Sequence, residues 1–104
     1  MIVIFYKAKN ENEGAKVASE LLNSRLSNSI DQLPMVKSFS YAQGKIKEDH
    51  EVLLIIKTKA LLYTAIENKV KGLTKSNNPK MYSVPMTQID DKYRQLLRRG
   101  IMEA

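Results

Sequence analysis

The sequence predicts an α+β domain built on an antiparallel sheet, with elements in the order β α β β α β and one more helix at the end. Two short segments, residues 2–6 and 52–56, are apolar at every position, as in buried strands. Two longer segments carry apolar residues at helical spacing. A length of 104 residues, 43% of them hydrophobic and 27% charged, indicates a single globular domain over residues 1–104.

The first quarter of the chain predicts a central strand and a helix. Residues Ile2 to Tyr6 are apolar on both sides, which favours a strand in the middle of a sheet. Asn10 and Glu13 have the spacing of a capping box, so we expect a helix to begin there and to end near Asn28. Its apolar stripe is predicted to consist of Ala15, Ala18, Leu21, Leu22 and Leu26.

A long hairpin is predicted next. The segment from Ile30 to Tyr41 is extended, and Pro34 indicates an edge strand or a bulge. Residues 42–45 can reverse the chain, because Gly44 tolerates the positive φ that a tight hairpin turn needs. The returning strand crosses a polar stretch and ends in the apolar run of residues 52–56.

The last part of the chain predicts a helix, a strand and a short helix. Thr58 is the expected cap of the second helix. Its predicted stripe comprises Leu61, Leu62, Ala65, Ile66, Val70 and Leu73. A strand over residues 81–86 follows, and Asp90 or Asp91 caps a final helix whose Tyr93, Leu96 and Leu97 share one face.

Right-handed crossovers in this order place two helices on one side of a four-stranded antiparallel sheet, which is the ferredoxin-like arrangement. The other side of the sheet is then bare, although the central strands are apolar on both sides. A closed homo-oligomer is the simplest way to cover it.

The charge of the chain suggests an alternative function. The formal net charge is +6, and residues 57–80 contain six lysines against one acid. A basic ferredoxin-like domain can bind RNA, but such modules stack bases on aromatic residues of the central strands, and residues 52–56 contain none. We therefore expect no nucleic-acid partner, and a solvated basic face instead.

Several chemistries are excluded or disfavoured by residue content. The chain has no cysteine, which excludes disulfides, thiolate metal sites and thiol catalysis. It has one histidine, no glycine-rich phosphate loop and no recognisable nucleophile motif, so we expect no enzyme activity. The N-terminus has no export-signal pattern and the longest apolar run is short, so a cytoplasmic protein without a membrane partner is predicted.

Residues 44–58 carry a family resemblance. The stretch Gly44-Lys45-Ile46-Lys47-Glu48-Asp49-His50-Glu51-Val52-Leu53-Leu54-Ile55-Ile56-Lys57-Thr58 is similar to the glycine-lysine hairpin and following strand of the CutA divalent-ion tolerance family. Weaker similarity extends over nearly the whole chain. The resemblance implies a homotrimer whose long hairpins share sheet edges around a threefold axis, as in the similar PII-type signalling proteins. It also implies a binding or signalling role in tolerance of divalent cations, copper above all.

The expected cleft between subunits departs from the family pattern. Ser29 replaces a cysteine, residues 41–43 replace two tryptophans and a glutamate, and residues 74–77 replace a His-Pro-Tyr-Glu loop. The resemblance places the candidate ligand-binding residues at Ser29, Tyr41, Gln43, Lys45, Lys57, Ser76 and Asn77. A small anion or a metal ion is the expected ligand. Lys57 either faces an anion or reaches solvent from a strand end, and the hairpin residues either line a pocket or form a plain turn.

A metal site is a separate hypothesis. Asp49, His50 and Glu51 combine carboxylates with an imidazole, which suit copper or another divalent cation. Strand alternation sends His50 to the face opposite its two neighbours, so one chain does not bring the three together. Threefold symmetry can bring copies of them close.

Overall fold

The computed structural model describes residues 1–103 and has the predicted element order. Its elements are β1 (Ile2–Ala8), α1 (Glu11–Asn23), β2 (Ser29–Ala42), β3 (Lys45–Thr58), a 3₁₀ helix (Ala60–Leu62), α2 (Tyr63–Thr74), β4 (Met81–Pro85) and α3 (Asp91–Arg98). The four strands form one antiparallel sheet in the order β2-β3-β1-β4. The prediction of a ferredoxin-like α+β fold with an additional C-terminal helix is confirmed.

One side of the sheet packs against α1 and α2. Alternate residues of β1 and β3 are fully or nearly fully buried there, and the helices contribute apolar side chains to the same core. This core comprises Ile4, Tyr6, Leu54 and Ile56 of the strands and Val17, Leu21, Ile66 and Val70 of the helices. Burial of this surface is the main stabilising contribution to the fold.

The opposite side of the sheet is left partly exposed in a single chain, and we call it the uncovered face. Val3, Phe5, Leu53 and Ile55 are only half-buried on it. On the edge strand β4, Tyr82 is 59% exposed and Val84 is 44% exposed, and the ring of Tyr82 stacks on Phe5 with centroids 5.3 Å apart. The uncovered face includes Val3, Phe5, Leu33, Leu53, Ile55, Tyr82 and Val84.

The hairpin of β2 and β3 extends well beyond the rest of the sheet. The last residue of β1, Ala8, pairs with Val52, so residues 36–51 form a two-stranded hairpin arm with no third strand beside it. Phe39, Tyr41 and Ile46 share one face of this arm and are between 65% and 76% exposed. The molecule is accordingly elongated, with extents of 46 × 29 × 21 Å.

Local backbone features set the geometry of the hairpin. Leu33 pairs with Leu53, whereas Val36 pairs with Glu51, so two residues of β2 bulge opposite one residue of β3. The predicted disturbance at Pro34 is thus confirmed, and Met35 in the bulge has a φ of 56°. The turn contains only Gln43 and Gly44, with φ of 53° and 75°, the signs found in a type I′ turn.

The first helix is shorter than predicted. It ends at Asn23 and not near Asn28, because Arg25 adopts a left-handed φ of 60°. The amide of Leu26 then donates to the carbonyl of Leu21 at 3.0 Å, which closes a Schellman motif and returns Leu26 to the core. The sequence did not predict this helix end, because glycine is the usual residue at the left-handed position and this chain has an arginine there.

The predicted apolar stripes of the two helices are only partly confirmed. In α1 the buried residues are Gly14, Val17 and Leu21, while Ala15 and Leu22 are exposed. In the second predicted stripe, Leu61 of the 3₁₀ helix and Ala65 of α2 are exposed, whereas Leu62 of the 3₁₀ helix and Ile66 and Val70 of α2 are buried as predicted. Short stripes with alanines allow two neighbouring phases, and the position of the sheet selects one of them.

Thr58 does not cap the second helix, so that prediction was wrong. Lys59 precedes the 3₁₀ helix without a side-chain cap, and α2 continues from it. Thr58 is fully buried, and its Oγ1 donates to the carbonyl of Leu26 at 2.6 Å. The hydroxyl therefore joins the end of β3 to the segment that follows α1.

The C-terminal segment packs onto that same region. Asp90 caps α3 by accepting from the amide of Tyr93 at 3.0 Å, which resolves the choice between Asp90 and Asp91. After α3 the amide of Met102 donates to the carbonyl of Arg25 at 2.8 Å, and Ile101 enters the core. No helix within residues 1–103 is long and apolar enough to cross a membrane.

Replacing the buried hydroxyl of Thr58 tests its role. Thr58→Val leaves the carbonyl of Leu26 without this donor, and we expect a loss of about 1–3 kcal/mol in the free energy of unfolding. Thr64→Val, at an exposed position of α2, is the matched control and should change it by less than about 0.5 kcal/mol. Urea unfolding at one protein concentration measures both, and equal values would contradict the assignment.

Two glycines give a paired test of the turn. A Cβ at either Gly44 or Gly72 meets no atom within 4 Å, but only Gly44 has positive φ. Gly44→Ala should therefore destabilise the protein by about 1–2 kcal/mol, the cost of a left-handed alanine. Gly72→Ala lies inside α2 and should stabilise it by about 0.5–1 kcal/mol. Thermal unfolding that shifts both variants the same way would speak against the type I′ turn.

Candidate functional site

The predicted cleft residues lie in three separate places of the single chain. Ser29 and Lys57 are directly opposite each other on β2 and β3, at the start of the hairpin. Tyr41, Gln43 and Lys45 lie at the exposed far end of the hairpin arm. Ser76 and Asn77 belong to the loop between α2 and β4.

Lys57 is buried although it carries a charge. It is 6% exposed, and its Nζ donates to Oδ2 of Asp31 at 2.6 Å, so the ammonium neither reaches solvent nor lacks a partner within the chain. Its carbonyl accepts a hydrogen bond from Oγ of Ser27 at 2.7 Å. Asp31 was not singled out from the sequence, although it lies two residues from Ser29 on the same side of β2.

The three candidate metal ligands point to different partners. Nε2 of His50 lies 3.5 Å from a carboxylate oxygen of Glu48, and Asp49 lies 3.8 Å from Nζ of Lys47. Glu51 is bonded to Lys80 on the opposite side from His50. Among residues 1–103 no group of three or more histidine, aspartate and glutamate side chains is arranged to hold a metal ion.

A polar pocket lies where the end of β1, the start of α1 and the loop before β4 meet. Its volume is about 300 Å³. Two predicted site residues line it, Ser76 of the expected cleft and Glu51 of the candidate metal ligands. The lining residues are Tyr6, Lys7, Lys9, Glu13, Glu51, Thr74, Ser76, Asn78, Pro79 and Lys80.

An ion-pair cluster forms one wall of the polar pocket. The side chain of Glu51 is only 10% exposed, and it accepts a hydrogen bond from Nζ of Lys80 at 2.8 Å. Nζ of Lys7 lies 3.9 Å from the other carboxylate oxygen of Glu51 and donates to Oγ of Ser38 at 3.2 Å. The hydrogen bond from Lys80 lowers the pKa of Glu51 and raises the pKa of Lys80, so both groups are charged near neutral pH.

A tyrosine and a glutamate form the opposite wall. The hydroxyl of Tyr6 donates to Oε1 of Glu13 at 2.8 Å, and the amide of Lys9 donates to the same oxygen at 3.2 Å. Burial, reinforced by Glu13, raises the pKa of Tyr6 far above its ordinary value. Asn10 caps α1 as predicted by accepting from the amide of Glu13 at 2.8 Å, but Glu13 bonds Lys9 and Tyr6 instead of completing the capping box.

Sequence reasoning missed most of this pocket. Tyr6, Lys7 and Lys80 were not named as site residues, because they are separated in sequence and follow no motif. The alternation of side chains along a strand is the one available signal. It places the charged residues Lys7 and Glu51 on the same side of the sheet as their apolar neighbours of the uncovered face.

An apolar groove adjoins the polar pocket on the uncovered face. It has a volume of about 460 Å³ and shares Lys7, Pro79 and Lys80 with the polar pocket. Its remaining lining residues are Phe5, Leu53, Met81 and Tyr82. Apolar sheet surface and charged pocket therefore form one continuous region.

A family model and named relatives that match this sequence are all CutA proteins. The family model described as CutA1 divalent ion tolerance protein matches residues 2–99. A protein from Oryza sativa named Protein CutA 1, chloroplastic, is 27% identical over 99% of this chain and 58% of its own length. Protein CutA, chloroplastic, from Arabidopsis thaliana is 29% identical over 95% of this chain and 54% of its own. The chain thus spans about half the length of these plant relatives.

Solved structures have the same fold. CutA1 from Oryza sativa superposes with a TM-score of 0.90 at 27% identity, covering 99% of this chain and 94% of that one. The divalent cation tolerance protein from Thermus thermophilus gives a TM-score of 0.88 at 25% identity, covering 98% of this chain and all of that one. The family model matches nearly the full sequence, and the shared fold agrees with the resemblance carried by residues 44–58. The chain belongs to the CutA1 divalent ion tolerance protein family.

Proposed function

We propose that this protein is a homotrimer that acts in tolerance of divalent cations, copper among them, as a metal- or ligand-responsive binding scaffold without catalytic activity. The family supports the general role, and a relative from Thermus thermophilus, 26% identical over 94% of this chain, is named divalent-cation tolerance protein. A cytoplasmic location belongs to the same proposal.

The observation that carries the proposal is the unpartnered apolar surface. The uncovered face exposes Tyr82 and Val84, and the hairpin arm exposes Phe39, Tyr41 and Ile46. A hairpin with no third strand gains little stability by itself, and exposed sheet edges favour pairing with another chain. Insertion of the arm of one copy against the uncovered face of the next covers both surfaces, and closure of this contact around a threefold axis produces a trimer.

The polar pocket supports a role without catalysis. General acid-base catalysis needs a group whose pKa lies near the working pH. In this pocket Glu51 is held ionised by Lys80, and burial holds Tyr6 neutral. Both groups keep one protonation state through the neutral range, which suits binding better than proton transfer.

Metal binding in this proposal depends on assembly. Within one chain His50, Asp49 and Glu51 face different partners, so a site needs ligands from more than one copy. The arms that carry these residues are the elements that the trimer brings together.

The RNA-binding alternative gains no support. On the uncovered face β3 presents Leu53 and Ile55 where RNA-binding modules have aromatic side chains, and the aromatic rings of Phe5 and Tyr82 on that face stack on each other. The family match and the named relatives point to divalent-cation tolerance instead.

Assembly can be tested by light scattering after size-exclusion chromatography. The wild-type chain should elute at three times its monomer mass. Tyr82→Glu places a charge on the uncovered face and should give a folded monomer or a trimer that dissociates on dilution. Leu22→Glu, on the outward side of α1, is the matched control and should remain trimeric. A monomeric wild-type protein would contradict the proposed assembly.

Metal binding can be tested by calorimetric titration with Cu(II), Zn(II) and, under anaerobic conditions, Cu(I). We expect heat of binding from at least one ion in the wild-type trimer, and loss of the Cu(II) heat in His50→Ala because the chain has no second imidazole. Trimer mass should be unchanged in the variant. Absence of heat from all three ions would refute the metal-binding part of the proposal.

A further inference from the structure

We propose that the polar pocket binds a small anion with phosphate or carboxylate groups, held chiefly by Lys7 and Lys80. This inference names a ligand class for the binding role proposed above, and in that respect it rests on the proposed function. The two lysines lie outside the hairpin motif and are not candidate metal ligands, whereas Glu51, which positions them, belongs to both sets.

The two carboxylates of the pocket, Glu13 and Glu51, already have hydrogen-bond and ion-pair partners within the chain. Oε1 of Glu13 accepts from the hydroxyl of Tyr6 and from the amide of Lys9. Glu51 is nine-tenths buried, bonded to Lys80 and close to Lys7. A cationic ligand would have to displace these partners, whereas an anion need not.

The lysines retain unused hydrogen-bond donors. An ammonium group has three N–H donors, and Lys80 uses one of them on Glu51. Lys7 uses one on Ser38. The side chain of Lys80 is 64% exposed and that of Lys7 is 36% exposed, so both ammonium groups are accessible to a ligand. With Lys9, three cations against two carboxylates line the pocket.

Glu51 acts as a positioning residue for the two lysines. Its buried carboxylate holds both ammonium groups at one wall of the pocket, which reduces the conformational entropy that the lysine side chains lose when a ligand binds. Because lysine is a point charge without the planar fork of arginine, the pair can bind phosphate and carboxylate groups alike.

Neutral groups complete the polar lining. The Oγ of Ser76 accepts from the amide of Asn78 at 3.3 Å, which leaves its hydroxyl hydrogen free to donate. Asn78 also lines the pocket, and its side chain carries an amide that can donate. These donors add directional contacts to the charge of the lysines.

The size of the pocket limits the ligand. A volume of about 300 Å³ lies at the lower end of the range for ligand sites. Inorganic phosphate or a compact polycarboxylate fits, and a large nucleotide does not.

Calorimetric titration of the metal-free full chain with inorganic phosphate and with citrate, at constant ionic strength, tests this proposal. We expect a dissociation constant of about 1 mM or lower for at least one of the two anions. The two titrations also distinguish a preference for phosphate from a preference for carboxylate. Failure of both anions to bind would overturn the proposal.

Variants assign the binding to the pocket. Lys80→Gln and Lys7→Gln should each raise the dissociation constant of the anion by about tenfold or more, since each removes a charge-assisted hydrogen bond. Lys80→Arg keeps the charge and should restore most of the affinity. Lys92→Gln, on exposed α3, changes the net charge equally and should have no effect. Equal weakening in all three glutamine variants would show nonspecific attraction and overturn the site.

Controls separate this proposal from the assembly and metal proposals. Circular dichroism checks that each variant folds, and Lys7→Gln leaves the Glu51–Lys80 pair intact if Lys80→Gln does not fold. Light scattering and the Cu(II) titration should be unchanged in these variants. Loss of anion binding in the lysine variants, with trimer mass and Cu(II) binding unchanged, supports the proposed anion site. If the lysine variants change only the binding of Zn(II) and not that of the anions, the proposal is contradicted.

Discussion

The antiparallel pairing of β1 with β3 is the constraint on which the rest of the structure depends. Seven residue pairs, from Ile2 with Thr58 to Ala8 with Val52, align two segments that are apolar on both sides. The helices α1 and α2 cover one side and form the core. The other side is covered only in part by the chain itself, and the proposed assembly follows from this imbalance.

The same pairing also positions the charged groups. Because side chains alternate along a strand, Tyr6 points toward the helices and Lys7 toward the uncovered face. Tyr6 then meets Glu13 at the start of α1, and Lys7 meets Glu51 one step beyond the apolar part of β3. The polar pocket therefore lies at the point where the apolar ladder ends and the hairpin arm begins.

Departures from the family pattern change the chemistry more than the fold. Ser29, at the position where the resemblance implied a cysteine, lies opposite a lysine that is already paired with Asp31. Ser76, in the loop between α2 and β4, lines a pocket with three lysines. Hydroxyl and ammonium groups are poor ligands for soft metal ions, and in the polar pocket they support the proposed binding of an anion.

The sequence by itself determined the element order, the tight turn at Gly44, the disturbance at Pro34 and the apolar strands, because these features follow from local propensity and from patterns of short period. It did not determine where α1 ends, since an arginine occupies the left-handed position, or that Thr58 bonds Leu26 across the fold. The sequence also did not predict the polar pocket. Its walls come together only when β1 lies between β3 and β4, which brings together Tyr6, Glu13, Glu51 and Lys80. Contacts between residues distant in the chain leave no periodic signal, and only the tertiary structure decides which of them form.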